Sequence, residues 1–347
     1  MKIYFKSIII FCLIYLGSFS AFAKSNVVNI YVWTAYLPTE VAKQFTKETG
    51  IRVNVSEYDS NETMYAKLKA SSDIGYDIVF PSSYFLRRMR QQNMLHTLDK
   101  DKLPNFHYLN PALLNKDFDP KNDYSIPYLA SITGIVVNSD SIAPNSVLKW
   151  QDLWRKDFKN SLLILDDMRE VFSMALLTLG YSINDTDPKH IEEAYLKLKS
   201  LLPNTKIFNS DVEQNIYVDE DAVIGMGWNG DINLSQADNP KLKFIYPKEG
   251  FVISIDCLAI TKKAPHLENA YKFINFLMRP DIAKKISLEI GYPSPNLGAI
   301  KLMSKELQEN PLFNPNEEIL KRGQIQNDVD EVLPLYERYW ELLKIGS

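Results

Sequence analysis

From Val27 onward the chain alternates apolar, β-branched runs with segments of helical spacing, and this alternation restricts the fold more than any other feature. Val27–Trp33 reads as a strand. Pro38-Thr39-Glu40 then opens a helix carrying Val41 and Phe45, and Gly50 stops it. Residues 51–55 alternate as a strand, Asn61 starts a helix through Lys69, and Tyr76–Phe80 is a buried strand ending at Pro81-Ser82. Such an order predicts an α/β fold with largely parallel pairing. Two later strands, Gly134–Asn138 and Phe251–Ile260, bracket a second α/β region with helices near Arg169–Leu179 and Ile191–Leu202. Beyond them Leu267–Met278 reads as a helix, and Val332, Tyr336, Tyr339, Trp340 and Leu343 mark a last amphipathic one. A chain that leaves one α/β unit, builds another and returns predicts two lobes joined by two strand-like hinges.

The N-terminus carries two lysines, an apolar run from Ile8 to Leu16, and an A-x-A pattern at residues 21–23. This predicts a secretory signal peptide over residues 1–23, the run being short for a membrane span of ~20 residues. Its removal takes away Cys12 and both lysines. Cys257 is then the sole cysteine, and the remainder is more acidic than the whole chain at −4. With no intramolecular disulfide, stability has to come from a large core, which 347 residues supply as two domains. The acidic balance argues against nucleic acid and anionic membrane as partners, and suits a cationic ligand.

Enzyme signatures are missing. His96, His107, His190 and His266 show no metal-ligand spacing and no neighbouring nucleophile, so they read as solvated surface residues. Neither G-x-S-x-G nor G-x-x-x-x-G-K-[ST] occurs. GMGWNG at 225–230 satisfies G-x-G-x-x-G, but Trp228 fills the approach a phosphate needs, and Asp231 puts a negative charge there. Pro240 also follows too soon for a strong crossover helix. No cofactor and no metal are expected.

The informative pattern is acid paired with aromatic at strand ends, where open α/β sheets bind ligands. Trp33, Thr34 and Tyr36 follow the first strand, and Ser82 and Tyr84 follow Tyr76–Phe80. Asp166, Asp167 and Glu170 follow Leu162–Leu165, Trp228 and Asp231 follow Ala222–Ile224, and Asp256 interrupts an apolar strand. Each has a plainer reading as core, cap or ion pair. Asp256 resists it, because an ionised acid inside an apolar strand is costly unless paired, and no lysine or arginine is adjacent. Acids at the ends and aromatic walls between them suit an extended alkyl ammonium.

Longer stretches carry a resemblance: FTKETGI (45–51), SNETMYAKLKA (60–70), YDIVFPSSY (76–84), NDYSIPY (122–128), DDMREVF (166–172), PKEG (247–250), IGYPSPN (290–296) and QND (326–328). The chain resembles the periplasmic spermidine/putrescine-binding proteins, the substrate-capture subunits of bacterial polyamine ABC importers. The resemblance implies an exported, monomeric, non-enzymatic protein of the two-lobed periplasmic binding fold with two hinge-strand crossings. Its ligand is spermidine, putrescine or both, and its partners are membrane permease subunits. One lobe is expected over 24–134 plus 255–300, the other over 135–254 plus 301–347. The family's site falls on Trp33, Thr34, Tyr36, Ser82, Tyr84, Asp167, Glu170, Trp228, Asp231, Asp256, Tyr292 and Gln326, with aromatics around the methylenes and Asp167, Glu170 and Asp256 holding amines.

The chain departs from that pattern at three places. Ala35 stands where the family usually has an acid, and Ser254 stands where spermidine binders have tryptophan and putrescine binders phenylalanine. Asp231 matches the putrescine type, whereas Tyr84, Asp167 and Gln326 match the spermidine type. Two alternatives stay open: the same fold binding another small cation or solute, and an exported enzyme using Asp167 and Glu170 as an acid/base pair.

Overall fold

The computed structural model describes residues 26–70, 75–210 and 212–346; the expected signal peptide lies outside them. The chain opens with β1 (Val27–Trp33), α1 (Thr39–Thr49), β2 (Arg52–Tyr58), α2 (Asn61–Ala70), β3 (Ile78–Val79), α3 (Ser83–Gln91) and the long β4 (Ile126–Asn138). A second run follows: β5 (Leu162–Ile164), α4 (Met168–Leu179), α5 (Pro188–Lys199), β6 (Thr205–Phe208), α6 (Glu213–Val218), β7 (Ile224–Trp228), α7 (Asn229–Asp238) and β8 (Leu242–Ile245). The return comprises β9 (Phe251–Ile260), α8 (Leu267–Leu277), α9 (Pro280–Ile290), α10 (Leu297–Lys301), α11 (Lys305–Glu309), α12 (Glu317–Leu320), β10 (Gly323–Ile325) and α13 (Leu333–Ile345).

Local chemistry sets the helix ends. Gly50 and Gly180 close α1 and α4 in the left-handed region, at φ 70° and 81°, where a side chain would be strained. Asp167 caps α4, its carboxylate accepting from the Glu170 amide.

The strands form one mixed sheet in the order β2-β1-β3-β9-β4-β7-β5-β6, with β10 beside β9 and β8 beside β4. The expected parallel pairing holds for five of the nine strand pairs among the described residues, β10 with β9 included, and the rest are antiparallel. β1 is parallel to β2 and β3, and β5 to β6 and β7, but β4 is antiparallel to β7, β8 and β9, and β3 to β9. The cause is the route of the chain: β4 leads out of the first half and β9 leads back, so they meet head to tail. β4 also starts earlier than Gly134, because the register shift between Pro127 and Leu129 lets a proline sit in the strand. Its residues 126–132 pair with β9 and residues 133–138 with β7 and β8. One strand therefore belongs to both halves.

Three buried apolar clusters follow from this path. One gathers Ile135, Trp150, Phe172, Tyr217, Ile232, Val252 and Tyr336. The other two flank the first half of the sheet, with Ile30, Phe45, Leu129, Leu258 and Phe273 on one side and Tyr31, Phe85, Ile255 and Cys257 on the other. Cys257 is fully buried, pointing away from Asp256 as strand alternation requires. The histidines do not all sit on the solvated surface. His107 is exposed, whereas His266 is largely covered and its ring meets Asp77 at 3.0 Å, the same carboxylate accepting the Asn29 and His266 amides.

Candidate binding site

The faces of β4 and β9 locate the site. Along one face of β9, Leu258 enters the first half's core and Val252 enters the second's, with Asp256 and Ser254 between them. Along the same face of β4 the sequence is Leu129, Ser131, Thr133, Ile135, again apolar at both ends and polar between. The register sets Leu129 opposite Asp256 and Ser131 opposite Ser254. On this face, polar side chains thus occupy the two linking strands only where these pass between the cores.

At one end, Asp256 is held by hydroxyls. Ser82 donates to Oδ1 at 2.6 Å and Tyr36 to Oδ2 at 2.7 Å. Asn61 links Ser82 to Tyr84, donating to both hydroxyls at 3.1 Å. Trp33 is set by its indole donating to the Phe80 carbonyl at 2.9 Å and by its contact with the Tyr58 ring. Tyr128 and Tyr292 present their edges to Tyr36. Burial raises the Asp256 carboxyl above the ordinary aspartate value, and the Ser82 and Tyr36 bonds only partly offset this. Thr34 stands apart from this network: it is exposed, and its hydroxyl donates to the Tyr58 carbonyl at 3.3 Å.

At the other end, Thr133 donates to Glu170 Oε2 at 2.7 Å. Burial, and then the charge of Asp167, push Glu170 up to about 8, against the pull of Thr133 and Arg169. Asp167 is raised by burial too, although the amides of Glu170 and Arg169 hold it back. The Arg169 guanidinium lies 5.6 Å from the centre of the Tyr84 ring and donates to the carbonyls of Asn327 and Ile183. Gln326 is buried beside this end. Its amide bonds the Ile253 carbonyl and its carbonyl accepts from Ser83, but its side-chain nitrogen has no acceptor among the described residues.

The GMGWNG segment runs straight from β7 into α7, so the helix that the early Pro240 argued against does form. Its glycines answer to packing. A Cβ at Gly225 would strike the Leu163 backbone, and one at Gly230 the Tyr292 ring. Tyr292 closes over that glycine and donates to Asp231 Oδ2 at 2.5 Å, while Gln214 donates to Oδ1 at 2.7 Å. Burial raises Asp231, with Glu213, Tyr292 and Gln214 opposing. Trp228 packs against the cores of both halves. A ring and a carboxylate fill the place a pyrophosphate would need.

Glu170, Asp231 and Asp256 are thus enclosed and Asp167 is half-buried, and none of them is in an ion pair among the described residues. Such uncompensated acids are what a cationic ligand relieves. Three residues that sequence reasoning missed belong here. Thr133 and Ser131 carried the same signal as Asp256, a polar group in an apolar strand. Glu62, on α2, is exposed as a residue, so water tempers its shift, yet protein packed about its carboxyl and then the Asp167 charge push it up to about 7.

Residues 40–315 match the family described as bacterial extracellular solute-binding proteins. The spermidine/putrescine-binding periplasmic protein of Salmonella typhimurium is 49% identical over 332 residues, covering 95% of each chain. A putrescine-binding periplasmic protein of Escherichia coli is 32% identical over 346 residues, covering 94% of this chain and 93% of its own. Among solved structures, a putative spermidine/putrescine ABC transporter from Listeria monocytogenes superposes with a TM-score of 0.88 at 32% identity, covering 93% of this chain and all of that one.

Proposed function

The chain belongs to the bacterial extracellular solute-binding proteins, and on that premise we propose that the cleft between its two cores captures a polyamine, spermidine or putrescine, for an ABC importer. It is a periplasmic binding protein and not an enzyme. The observation that carries the ligand class is the set of four carboxylates, three buried and Asp167 half-buried, none of them in an ion pair among the described residues, walled by Trp33, Tyr36, Tyr84, Trp228 and Tyr292. Asp256 and Asp231 take one ammonium, and Glu170 and Asp167 take the other, with Gln326 beside them. Three charge-assisted bonds at ~1.5–3 kcal/mol each and five ring contacts at ~0.5–2 kcal/mol each come to about 7–19 kcal/mol, a range that spans and mostly exceeds the ~8 kcal/mol of a micromolar complex. The surplus offsets the ordering of ligand and protein.

In this reading residues 1–23 are the export signal, and the mature protein works as a monomer. One lobe comprises 24–134 plus 255–300 and the other 135–254 plus 301–347, closing about β4 and β9. The acid/base alternative is disfavoured because the matching family and the similar curated proteins are solute-binding proteins. A thermal-shift panel of putrescine, spermidine, spermine, amino acids, Fe3+ and sulfate tests the ligand class. Stabilisation by the polyamines alone is the expected result. Stabilisation by amino acids, Fe3+ or sulfate with no response to polyamines would overturn it.

A further inference from the structure

Ser131 and Ser254 face each other across β4 and β9. They are only 9% and 8% exposed, and among the described residues neither hydroxyl has a hydrogen-bond partner. Neither oxygen is sealed from solvent, so both hydroxyls open from nearly covered residues with their bonding capacity free for whatever enters between the cores.

On the same face, Asp256 lies two residues along β9 from Ser254, and Thr133, which donates to Glu170, lies two residues along β4 from Ser131. The stripe runs from carboxylate to carboxylate with two unpaired hydroxyls midway. From Leu129, opposite Asp256, to Thr133 the strand advances about 13 Å, a span that a triamine bridges more fully than a short diamine. Directly opposed residues of an antiparallel pair lie about 4.5–5.5 Å apart at Cβ, close enough for both hydroxyls to reach one atom.

We propose that Ser131 and Ser254 form an acceptor seat for the internal secondary ammonium of the bound polyamine. This deepens the polyamine reading and rests on it. A secondary ammonium offers two N–H donors, and each serine hydroxyl has lone pairs to accept one. Asp256 and Glu170 supply opposing charge from either side. A methylene at the same place leaves both hydroxyls unpaired, and a site built to hydrogen-bond a group rejects the analogue that lacks it. The seat therefore selects a triamine over an all-methylene diamine of equal length.

The test is calorimetric titration of spermidine, 1,8-diaminooctane and putrescine into wild type and the double variant Ser131→Ala, Ser254→Ala. 1,8-Diaminooctane replaces the internal nitrogen of spermidine by a methylene at the same chain length. Wild type should prefer spermidine over it by more than about tenfold, the worth of one charge-assisted bond. The double variant should lose most of that preference, and its circular dichroism and thermal unfolding, measured without ligand, report that it is folded. An undiminished preference in the variant would overturn the seat, as would equal weakening of all three ligands or a wild type that cannot tell the long ligands apart. If wild type bound none of the three, the polyamine reading itself would fall, and the seat with it.

Discussion

Tyr292, packed in the core of the first half, donates its phenol to Asp231 at 2.5 Å, on the helix whose Ile232 is buried in the core of the second. One hydrogen bond thus joins the two halves and holds a proposed ligand acid. If ligand capture brings the halves together, this bond belongs to the closed arrangement. Small-angle scattering should show a smaller radius of gyration with saturating spermidine than without. Tyr292→Phe should shrink that contraction and weaken binding by about 1–3 kcal/mol, the cost of leaving a buried acceptor short of a donor. Identical scattering with and without ligand would remove the hinge proposal.

Asp256→Asn keeps the shape of the side chain and its place between Ser82 and Tyr36, but removes the charge. The expected loss is about 2–5 kcal/mol in polyamine affinity, that of truncating one partner of a buried charge pair. Titration calorimetry reads it directly. A change under about threefold, less than 1 kcal/mol, would make Asp256 a structural residue.

Asp231 and Asp256 both act on Tyr36, so two carboxylates share one end of the site. A short diamine depends on that end more than a triamine does. Asp231→Ser should therefore weaken putrescine more than spermidine, while wild type holds the two within about tenfold, or ~1.4 kcal/mol. Titrating both ligands against both proteins decides the matter. Equal losses, or a wild-type preference beyond about a hundredfold, would contradict dual binding.

The raised acids give a pH signature of definite sign. Glu170 sits at about 8 in the folded protein against 4.5 in an unperturbed chain. Between those values the free folded state keeps a proton that the unfolded state has released, so stability falls as pH rises through this window. Glu62, at about 7, acts in the same direction, more weakly because it is exposed. A bound ammonium requires the carboxylate form, so binding expels protons. The stabilisation by spermidine in thermal unfolding should grow between about pH 5 and pH 8 while the free protein weakens, and calorimetry in buffers of different ionisation enthalpy should count protons released. Net proton uptake would refute the assignment.

The alternation of strands and helices, the strand ends carrying Trp33, Asp167 and Trp228, the acid inside an apolar strand at Asp256, and the turn of Cys257 to the opposite face were all legible along the chain, because each depends on residues a few positions apart. Periodicity of two says which side chains share a face of a strand; it does not say which strand lies alongside. The antiparallel meeting of β4 and β9 therefore came only with the folded chain, and with it the opposition of Ser131 to Ser254. The bond from Tyr36 to Asp256 spans 220 positions and that from Tyr292 to Asp231 spans 61. Asp256 announced itself as a charge in an apolar strand, but its hydroxyl partners, the raised Glu170 and the glycine that admits the Tyr292 ring are products of packing between distant segments. Local patterning determined what the chain builds and where a ligand has to sit; long-range pairing alone decided which groups converge there, since no one-dimensional period encodes the distance between two strands that meet only after the chain has gone out and returned.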